Sequence, residues 1–510
     1  MKNPKVMTAE EAVLHIQDRG TVAIGGSGGG IAEPTDLIKA LEKRFLETAG
    51  PRDLTIIHVT GLGDRAEGGL CHLAHEGLVK RNIGGHYDYI PKMAQLASEN
   101  KIEACNLPQG VLSQLFRETA ARRPGLITHV GLRTFVDPRL EGGKLNEITR
   151  EDIVKVVEFE GQEKLFYRSY DCNYAFLRGT SADEDGNISM EEEAALLDNL
   201  AIAQAVHNNG GKVFVQVKRL VQRHTLHPKS IRIPGILVDG IIVSPHQTQT
   251  VLSDYNPAYS GDIRIPLAEI PPLPFSERKI IAMRAAMEIP GKRVVNLGVG
   301  ISGLVGIAAK EMNLATDFEF VVEQGVIGGV PAGGIEFGTA SNPTAIIDSP
   351  SQFDFFDGGG LELACLGMAQ VDIQGNVNVS KLGKRIFGCG GFINIAQNAK
   401  QIVFCGTFTA GGLKYSVKDG KLTIVEEGKY KKFVRRVDQI TFSAQYARET
   451  GQRVMYVTER AVFSLGENGL VLEEIAPGVD LEKDILSHMD AAPMISPDLK
   501  EMDARLFQGV

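Results

Sequence analysis

The stretch Arg293-Val294-Val295-Asn296-Leu297-Gly298-Val299-Gly300-Ile301-Ser302-Gly303 reads as an apolar strand running into a glycine turn, with a helical pattern beyond it. An earlier stretch has the same order. Thr21-Val22-Ala23-Ile24 runs into Gly25-Gly26-Ser27-Gly28-Gly29-Gly30, and a helix follows with Leu37, Ile38, Leu41 and Phe45 on one face. After each turn comes a second apolar strand that ends near glycine: Leu54 to Gly61 in one half, Phe318-Glu319-Phe320-Val321-Val322 in the other. Further on, Ala182-Asp183-Glu184-Asp185-Gly186-Asn187-Ile188 parallels Val371-Asp372-Ile373-Gln374-Gly375-Asn376-Val377. Ile202-Ala203-Gln204 before Val213-Phe214-Val215 parallels Ile395-Ala396-Gln397 before Ile402-Val403-Phe404. Matches in one order predict an α/β fold of two tandem, similar open domains. Strands alternating with helices predict a mostly parallel sheet in each. The seam is expected at Ile270-Pro271-Pro272-Leu273-Pro274, which gives domains 1–272 and 273–510.

Composition bounds the function. A chain of 510 residues is too long for one core. Its charged share of 23% and hydrophobic share of 43% are those of an ordinary globular enzyme. The net charge of -9 argues against nucleic acid as the main partner. No apolar run approaches the roughly 20 residues that span a bilayer. Met1-Lys2-Asn3-Pro4-Lys5 leads into a capping-box pattern at Thr8-Ala9-Glu10-Glu11 with no signal-peptide core, so a cytoplasmic location is expected. Six widely spaced cysteines make no disulfide framework. Cys71-His72-Leu73-Ala74-His75-Glu76 lacks the spacing of a structural zinc site, reads as a helix surface, and no metal is expected.

The two halves differ in chemistry. The strand ending at Val322 delivers Glu323, and the chain continues Gln324-Gly325-Val326-Ile327-Gly328-Gly329-Val330-Pro331. A carboxylate at a strand end, followed by glycines, sits where backbone can crowd it closely. Such a group serves as acid, base, nucleophile or ligand-binding residue. The matching position of the first half falls near Val59, which carries no charge. One active site, between two pseudo-equivalent halves, is therefore expected. Ligands of open α/β sheets bind beyond the carboxyl ends of the strands, where both glycine turns belong.

Gly298-Val299-Gly300-Ile301-Ser302-Gly303 also fits the G-x-G-x-x-G dinucleotide fingerprint, and Glu323 lies where a ribose-binding acid belongs. Two features count against that reading. The second strand enters Gly325, Gly328, Gly329, Pro331, Gly333 and Gly334 rather than a helix, and the loop from Gly25 to Gly30 does not fit the fingerprint.

Strand-Glu-x-Gly-x-x-Gly-x-Pro, here Glu323-Gln324-Gly325 through Gly328 and Pro331, resembles the active-site signature of family I CoA-transferases, a group that includes succinyl-CoA:3-oxoacid CoA-transferase. Leu107-Pro108-Gln109-Gly110, then Gly367 with Gly375-Asn376-Val377-Asn378, then Gly388-Cys389-Gly390-Gly391-Phe392 resemble further family blocks in order. The single-chain, two-domain form most resembles the acetate/propionate branch. Gln324 departs from the Asn or Ser of many members, so substrate range is not carried across.

The resemblance implies transfer of CoA between an acyl-CoA and a short-chain carboxylic acid such as acetate or propionate. It implies Glu323 as nucleophile, through an acyl-glutamyl anhydride and a glutamyl-CoA thioester with ping-pong kinetics. Gly298, Val299, Gly300, Ile301 and Ser302 would contact CoA and offer backbone amides to an oxyanion. Gly390 and Gly391, with Asn376 and Asn378, would offer another set. Gly28, Gly29 and Gln109 would line the substrate pocket, although Gln109 reads equally as a turn residue before the helix at Val111 to Thr119. Lys381, Lys384 and Arg385 fit either CoA phosphates or a solvated basic face. Cys389, with no histidine near it in sequence, reads as a small buried residue. No separate cofactor is implied, and a homo-oligomer is. Three other readings stay open: an acyl-CoA hydrolase, a dinucleotide-dependent enzyme, and a non-catalytic CoA-binding protein.

Overall fold

The computed structural model describes residues 5–266, 273–314 and 318–508. Of the expected seam, Ile270, Pro271 and Pro272 lie outside the described residues. Contacts divide the chain into two compact units. The first comprises Met1–Ile265, Val322–Phe355 and Lys384–Asn394, and the second Pro266–Val321, Phe356–Gly383 and Ile395–Val510. The segment that carries Glu323 is thus part of the first unit, although it lies in the C-terminal half of the sequence.

The first unit is built on an eight-stranded sheet. Its order is Lys5–Val6, Gly240–Val243, Lys212–Val217, Tyr174–Arg178, Thr21–Ile24, Leu54–His58, Val79–Gly84 and Glu103–Asn106, and each neighbouring pair is parallel. Val22, Ala23, Ile24, Ile56 and Phe176 are wholly buried, as a parallel sheet covered on both faces requires. The chain leaves Thr21–Ile24 toward one edge and returns at Tyr174–Arg178 to build toward the other. The order reverses between these two strands, and the turn from Gly25 to Gly30 lies at their carboxyl ends. The helix Thr35–Thr48 buries Leu37, Ile38 and Leu41 against the core, and Phe45 packs on the same cluster. Near the N-terminus the predicted capping box is formed: the Glu11 amide donates to Thr8 Oγ1, and the Thr8 amide donates to Glu11 Oε2.

The second unit repeats this design. Glu319–Val321, Val294–Leu297, Leu363–Gly367, Gln401–Cys405 and Arg453–Val457 follow one another as parallel strands, and the order reverses beside Val294–Leu297. Ala461–Gly466 and Gly469–Ile475 extend the sheet antiparallel. The helix Glu277–Ala286 opens at Ser276, whose hydroxyl accepts the Lys279 amide.

The paired loops noticed in sequence are alike down to their hydrogen bonds. Asp183 Oδ1 accepts the amides of Asp185 and Asn187, and Asp372 Oδ1 accepts those of Gln374 and Asn376. Each Asn then uses its side-chain oxygen on a distant amide, Asn187 on Gly235 and Asn376 on Ala444. Among the described residues no helix is long and apolar enough to cross a membrane.

Arg178 ties the first glycine turn to the sheet. Its guanidinium meets Glu193 through two bonds of 2.9 Å and donates to the carbonyls of Gly30, Glu33 and Thr248. Both side chains are sealed, at 4% and 2% exposure. Removing one partner leaves the other charge buried, so Arg178→Leu is expected to lower stability by about 3–5 kcal/mol in urea unfolding. Replacing Arg178 and Glu193 together by Leu should cost less than the single change.

Candidate active site

Glu323 sits on a tight turn between Val322 and Val326. The Gly325 amide donates to the Val322 carbonyl, and the Val322 amide donates to the Val326 carbonyl. Gly325 has φ +90°, and a Cβ there would overlap the Ile347 carbonyl oxygen, so the turn demands glycine. The Ile347 amide in turn donates to the Gly325 carbonyl at 2.8 Å. This two-sided anchoring sets the direction in which the glutamate side chain leaves the turn.

The glutamate residue is half-buried, but Oε2 is closed to solvent and has no hydrogen-bond partner among the described residues. Burial pushes the carboxyl up to about 7, against a smaller opposing effect from its own backbone amide. A second loop closes on it. A Cβ on Gly391 would stand 2.6 Å from Glu323 Cγ and 3.3 Å from Oε1, so only a glycine lets this backbone lie against the side chain. Here the close approach, rather than the backbone angle, imposes the residue.

Neighbouring strand ends hold that loop from below. The amides of Tyr87 and Asp88 donate to the Phe387 carbonyl, the Cys389 amide to Asn106 Oδ1, and the Gly390 amide to the Gly85 carbonyl. The Gln109 amide donates to the Gly390 carbonyl at 2.9 Å, and the Gly110 amide to Asn394 Oδ1 at 3.0 Å. Asn106 also donates to the carbonyls of Gly84 and Gly85. Cys389 is buried and its thiol is pushed far up by burial, which suits the structural reading and not a nucleophile.

The first glycine turn reaches the same place. The Tyr89 ring packs against Gly28, and its phenol is raised mainly by burial, with Arg65 opposing and the charges of Asp88 and then Glu323 adding. Gln324 Nε2 donates to Ser27 Oγ at 3.4 Å, and the Gly29 amide donates to the Gly63 carbonyl at 2.8 Å. Glu323, Gly390, Gly391, Gln109, Gly28 and Gly29 all belong to the first unit. Gln109 is the first residue of the helix Gln109–Ala120, whose cap is Pro108. Its carboxamide nitrogen is sealed and has no partner among the described residues.

The turn from Gly298 to Ser302, Asn376 and Asn378 stand in the second unit. Gly298, Val299, Gly300, Ile301 and Ser302 follow the carboxyl end of Val294–Leu297, and Val299 is exposed. Asn376 and Asn378 have their side chains committed to partners within the second unit. Asn376 donates to Asp372 and accepts from Ala444, while Asn378 donates to Gln370 and Lys381 and accepts from Ser380. Arg385 lies over the Phe387 ring and pairs with Asp88 at 3.4 Å. The stretch around Cys71 is a short 3-10 helix rather than an α-helix, and His72 and His75 both bond the Glu42 carboxylate, at 2.6 and 2.9 Å. Among the described residues no group of three His, Cys, Asp or Glu could hold a metal ion.

Two site residues escaped the sequence reading, His86 and Tyr89. The only local mark is Gly84-Gly85 before His86, and the strand that leads to it, Val79-Lys80-Arg81-Asn82-Ile83-Gly84, is not the apolar run that precedes Glu323.

Comparison with known proteins places this arrangement. The profile of the Coenzyme A transferase family matches residues 6–244. The acetate CoA-transferase YdiF of Escherichia coli K12 is 52% identical over 503 residues, covering 98% of this chain and 95% of its own. A caffeate CoA-transferase of Acetobacterium woodii is 47% identical, covering 99% and 97%. The crystal structure of the acyl-CoA transferase YdiF of Escherichia coli O157:H7, in a thioester complex with CoA, superposes with a TM-score of 0.95 at 50% identity, over 99% of this chain and 96% of that one. The chain belongs to the coenzyme A transferase family and is a CoA-transferase.

Proposed function

We propose that the protein moves CoA between short-chain carboxylic acids, acetate, propionate or similar, by a ping-pong mechanism through Glu323. The observation that carries this reading is the Glu323 carboxyl itself, with Oε2 closed to solvent and unbonded among the described residues and a glycine backbone against its side chain. The thioester complex formed by the similar E. coli enzyme supports a covalent route. The names of the relatives, one an acetate and one a caffeate transferase, support a carboxylic acid as acceptor and leave its chain to the pocket.

In the first step a Glu323 oxygen attacks the thioester carbonyl. A C–O bond forms, the C–S bond breaks, and CoA leaves as thiolate. The thiolate then attacks the glutamyl carbonyl of the anhydride, releasing the first acid as carboxylate and leaving a glutamyl-CoA thioester. The second acid attacks that thioester and expels the thiolate, which takes the new acyl group and regenerates the Glu323 carboxylate. No net proton is consumed, and the thioester substrate itself becomes the covalent intermediate, so the scheme calls for no separate cofactor. Each tetrahedral intermediate carries an oxyanion, and one preorganised donor is worth about 3 kcal/mol to it. The Gly390–Gly391 backbone beside Glu323 suits that task, and Gly298 to Ser302 suit contact with CoA. Closing the carboxyl away from water protects the anhydride from hydrolysis. A cytoplasmic homo-oligomer completes the reading.

Incubation with acetyl-CoA or propionyl-CoA, followed by intact mass and peptide mapping, is expected to place a CoA adduct on the Glu323 peptide. An adduct elsewhere, or turnover with none, would sink the assignment, and CoA release independent of added acid would mark a hydrolase. Glu323→Ala should abolish transfer with the fold intact, and Glu323→Asp should lose about a hundredfold, the cost of misplacing a reacting group by roughly 1 Å. Gly391→Ala displaces the glutamate without removing it, so a similar loss of about a hundredfold is expected with little change in thermal unfolding. Burial disfavours the charged carboxyl, and only the charged form attacks. The kcat/KM for acyl-CoA should therefore be flat above a pH of about 7 and fall about tenfold per unit below it. A profile flat down to pH 5 would contradict this.

A further inference from the structure

His86 follows Gly84-Gly85 at the carboxyl end of the strand Val79–Gly84. Its ring packs against Tyr89, with centroids 5.6 Å apart. Nδ1 is sealed, and among the described residues it has no hydrogen-bond partner. A Cβ on Gly61 would stand 3.3 Å from Nδ1, so this nitrogen abuts backbone rather than open space. A proton on Nδ1 would be a buried donor with nothing to accept it, a costly arrangement. The neutral ring therefore carries its proton on Nε2. Burial also pulls the imidazole down to about 4, with the nearby Asp88 raising it and Arg65 and His58 lowering it, so the ring stays uncharged at neutral pH.

The ring carbon Cδ2, bonded to Nε2, lies 3.3 Å from where a Cβ of Gly390 would be. Gln109 flanks the same point, with Oε1 3.8 Å from it. Gln109 Nε2 is sealed and unpartnered among the described residues, like His86 Nδ1. The next residue along, Gly391, is the one that packs on Glu323. The neutral His86 ring, with its proton on Nε2, and the Gln109 carboxamide thus flank the glycine bend that lies against the nucleophile. The sealed Gln109 Nε2–H has no acceptor among the described residues, and an acceptor that arrives with the substrate would match it.

We propose that His86 is a positioning residue for the acyl group: its Nε2–H, with the Gln109 carboxamide N–H, donates to the carboxylate oxygen of the bound acid that does not attack. That oxygen becomes the carbonyl oxygen of the new acyl-CoA, so one donor pair serves the free acid and the thioester alike. Neutral donors orient a carboxylate without a full positive charge that would retain the departing acid. The inference rests on Glu323 as the nucleophile.

The test compares His86→Ala, His86→Gln and His86→Asn in the full-length enzyme, with acetyl-CoA as donor and propionate as acceptor. Loss of the donor in His86→Ala should raise the KM for propionate and lower kcat/KM by about tenfold to a hundredfold, the range of a hydrogen bond to a charged group. The Gln amide nitrogen reaches the place of Nε2 and should recover most of the loss. The Asn amide nitrogen reaches only the place of Nδ1 and should not. An unchanged propionate KM in His86→Ala, or recovery by Asn equal to that by Gln, would overturn the proposal. So would an equal loss in all three variants that tracks a lowered Tm. Mass analysis of the unaltered enzyme separates the two readings. An adduct on Glu323 without the Gln-over-Asn pattern removes only the role of His86, whereas no adduct removes the Glu323 mechanism and this inference with it.

Discussion

A carboxyl with one oxygen sealed from water, and without a hydrogen-bond partner among the described residues, is the constraint on which the rest of this structure turns. Transfer of an ionised glutamate into a closed site is unfavourable, and the rise of Glu323 to about 7 expresses that penalty. Among the described residues no cation relieves it. The surroundings hold it in place by backbone geometry. The Val322–Val326 turn points the side chain, Ile347 locks the turn from one side, and Gly391 closes against it from the other. A desolvated carboxylate is a stronger nucleophile than a hydrated one, so the cost in the resting site reappears as reactivity.

The fold supplies these parts through a repeated design in which one strand end differs. Both units place a glycine turn at the point where the strand order reverses, and both carry the same Asp–Asn loop with the same hydrogen bonds. Only one of the paired second strands ends in a carboxylate. Its counterpart ends in Val59, which is buried and uncharged. Asn187 and Asn376 show the complementary lesson, because equivalent residues bound in equivalent loops are structural in both units.

Much of the site was legible because its signals are local. A carboxyl at a strand end followed by glycines leaves its mark in a few consecutive residues, which is why Glu323 could be singled out, whereas Gly390 and Gly391 came from the family resemblance. His86 and Tyr89 were not named, since their importance comes from packing against Gly61, Gly390 and Gly28, which lie far away in sequence. Asn376 and Asn378 looked available as polar residues in a glycine-rich block. Their side chains are in fact consumed by Asp372, Ala444, Gln370 and Lys381, partners that no spacing rule identifies.

Sequence alone determined the α/β class, the internal repeat with its parallel sheets, and the single charged strand end, because periodicity and glycine placement act over one or two turns of chain. Tertiary structure alone decided that Val322–Phe355 and Lys384–Asn394 pack with the first unit and that Gly391 covers Glu323. It also decided that His86 Nδ1 and Gln109 Nε2 have no hydrogen-bond partner among the described residues. The reason is physical. A backbone amide such as that of Gly390 takes whichever carbonyl the folded chain brings within 3 Å, and Gly85 is about three hundred residues away from it.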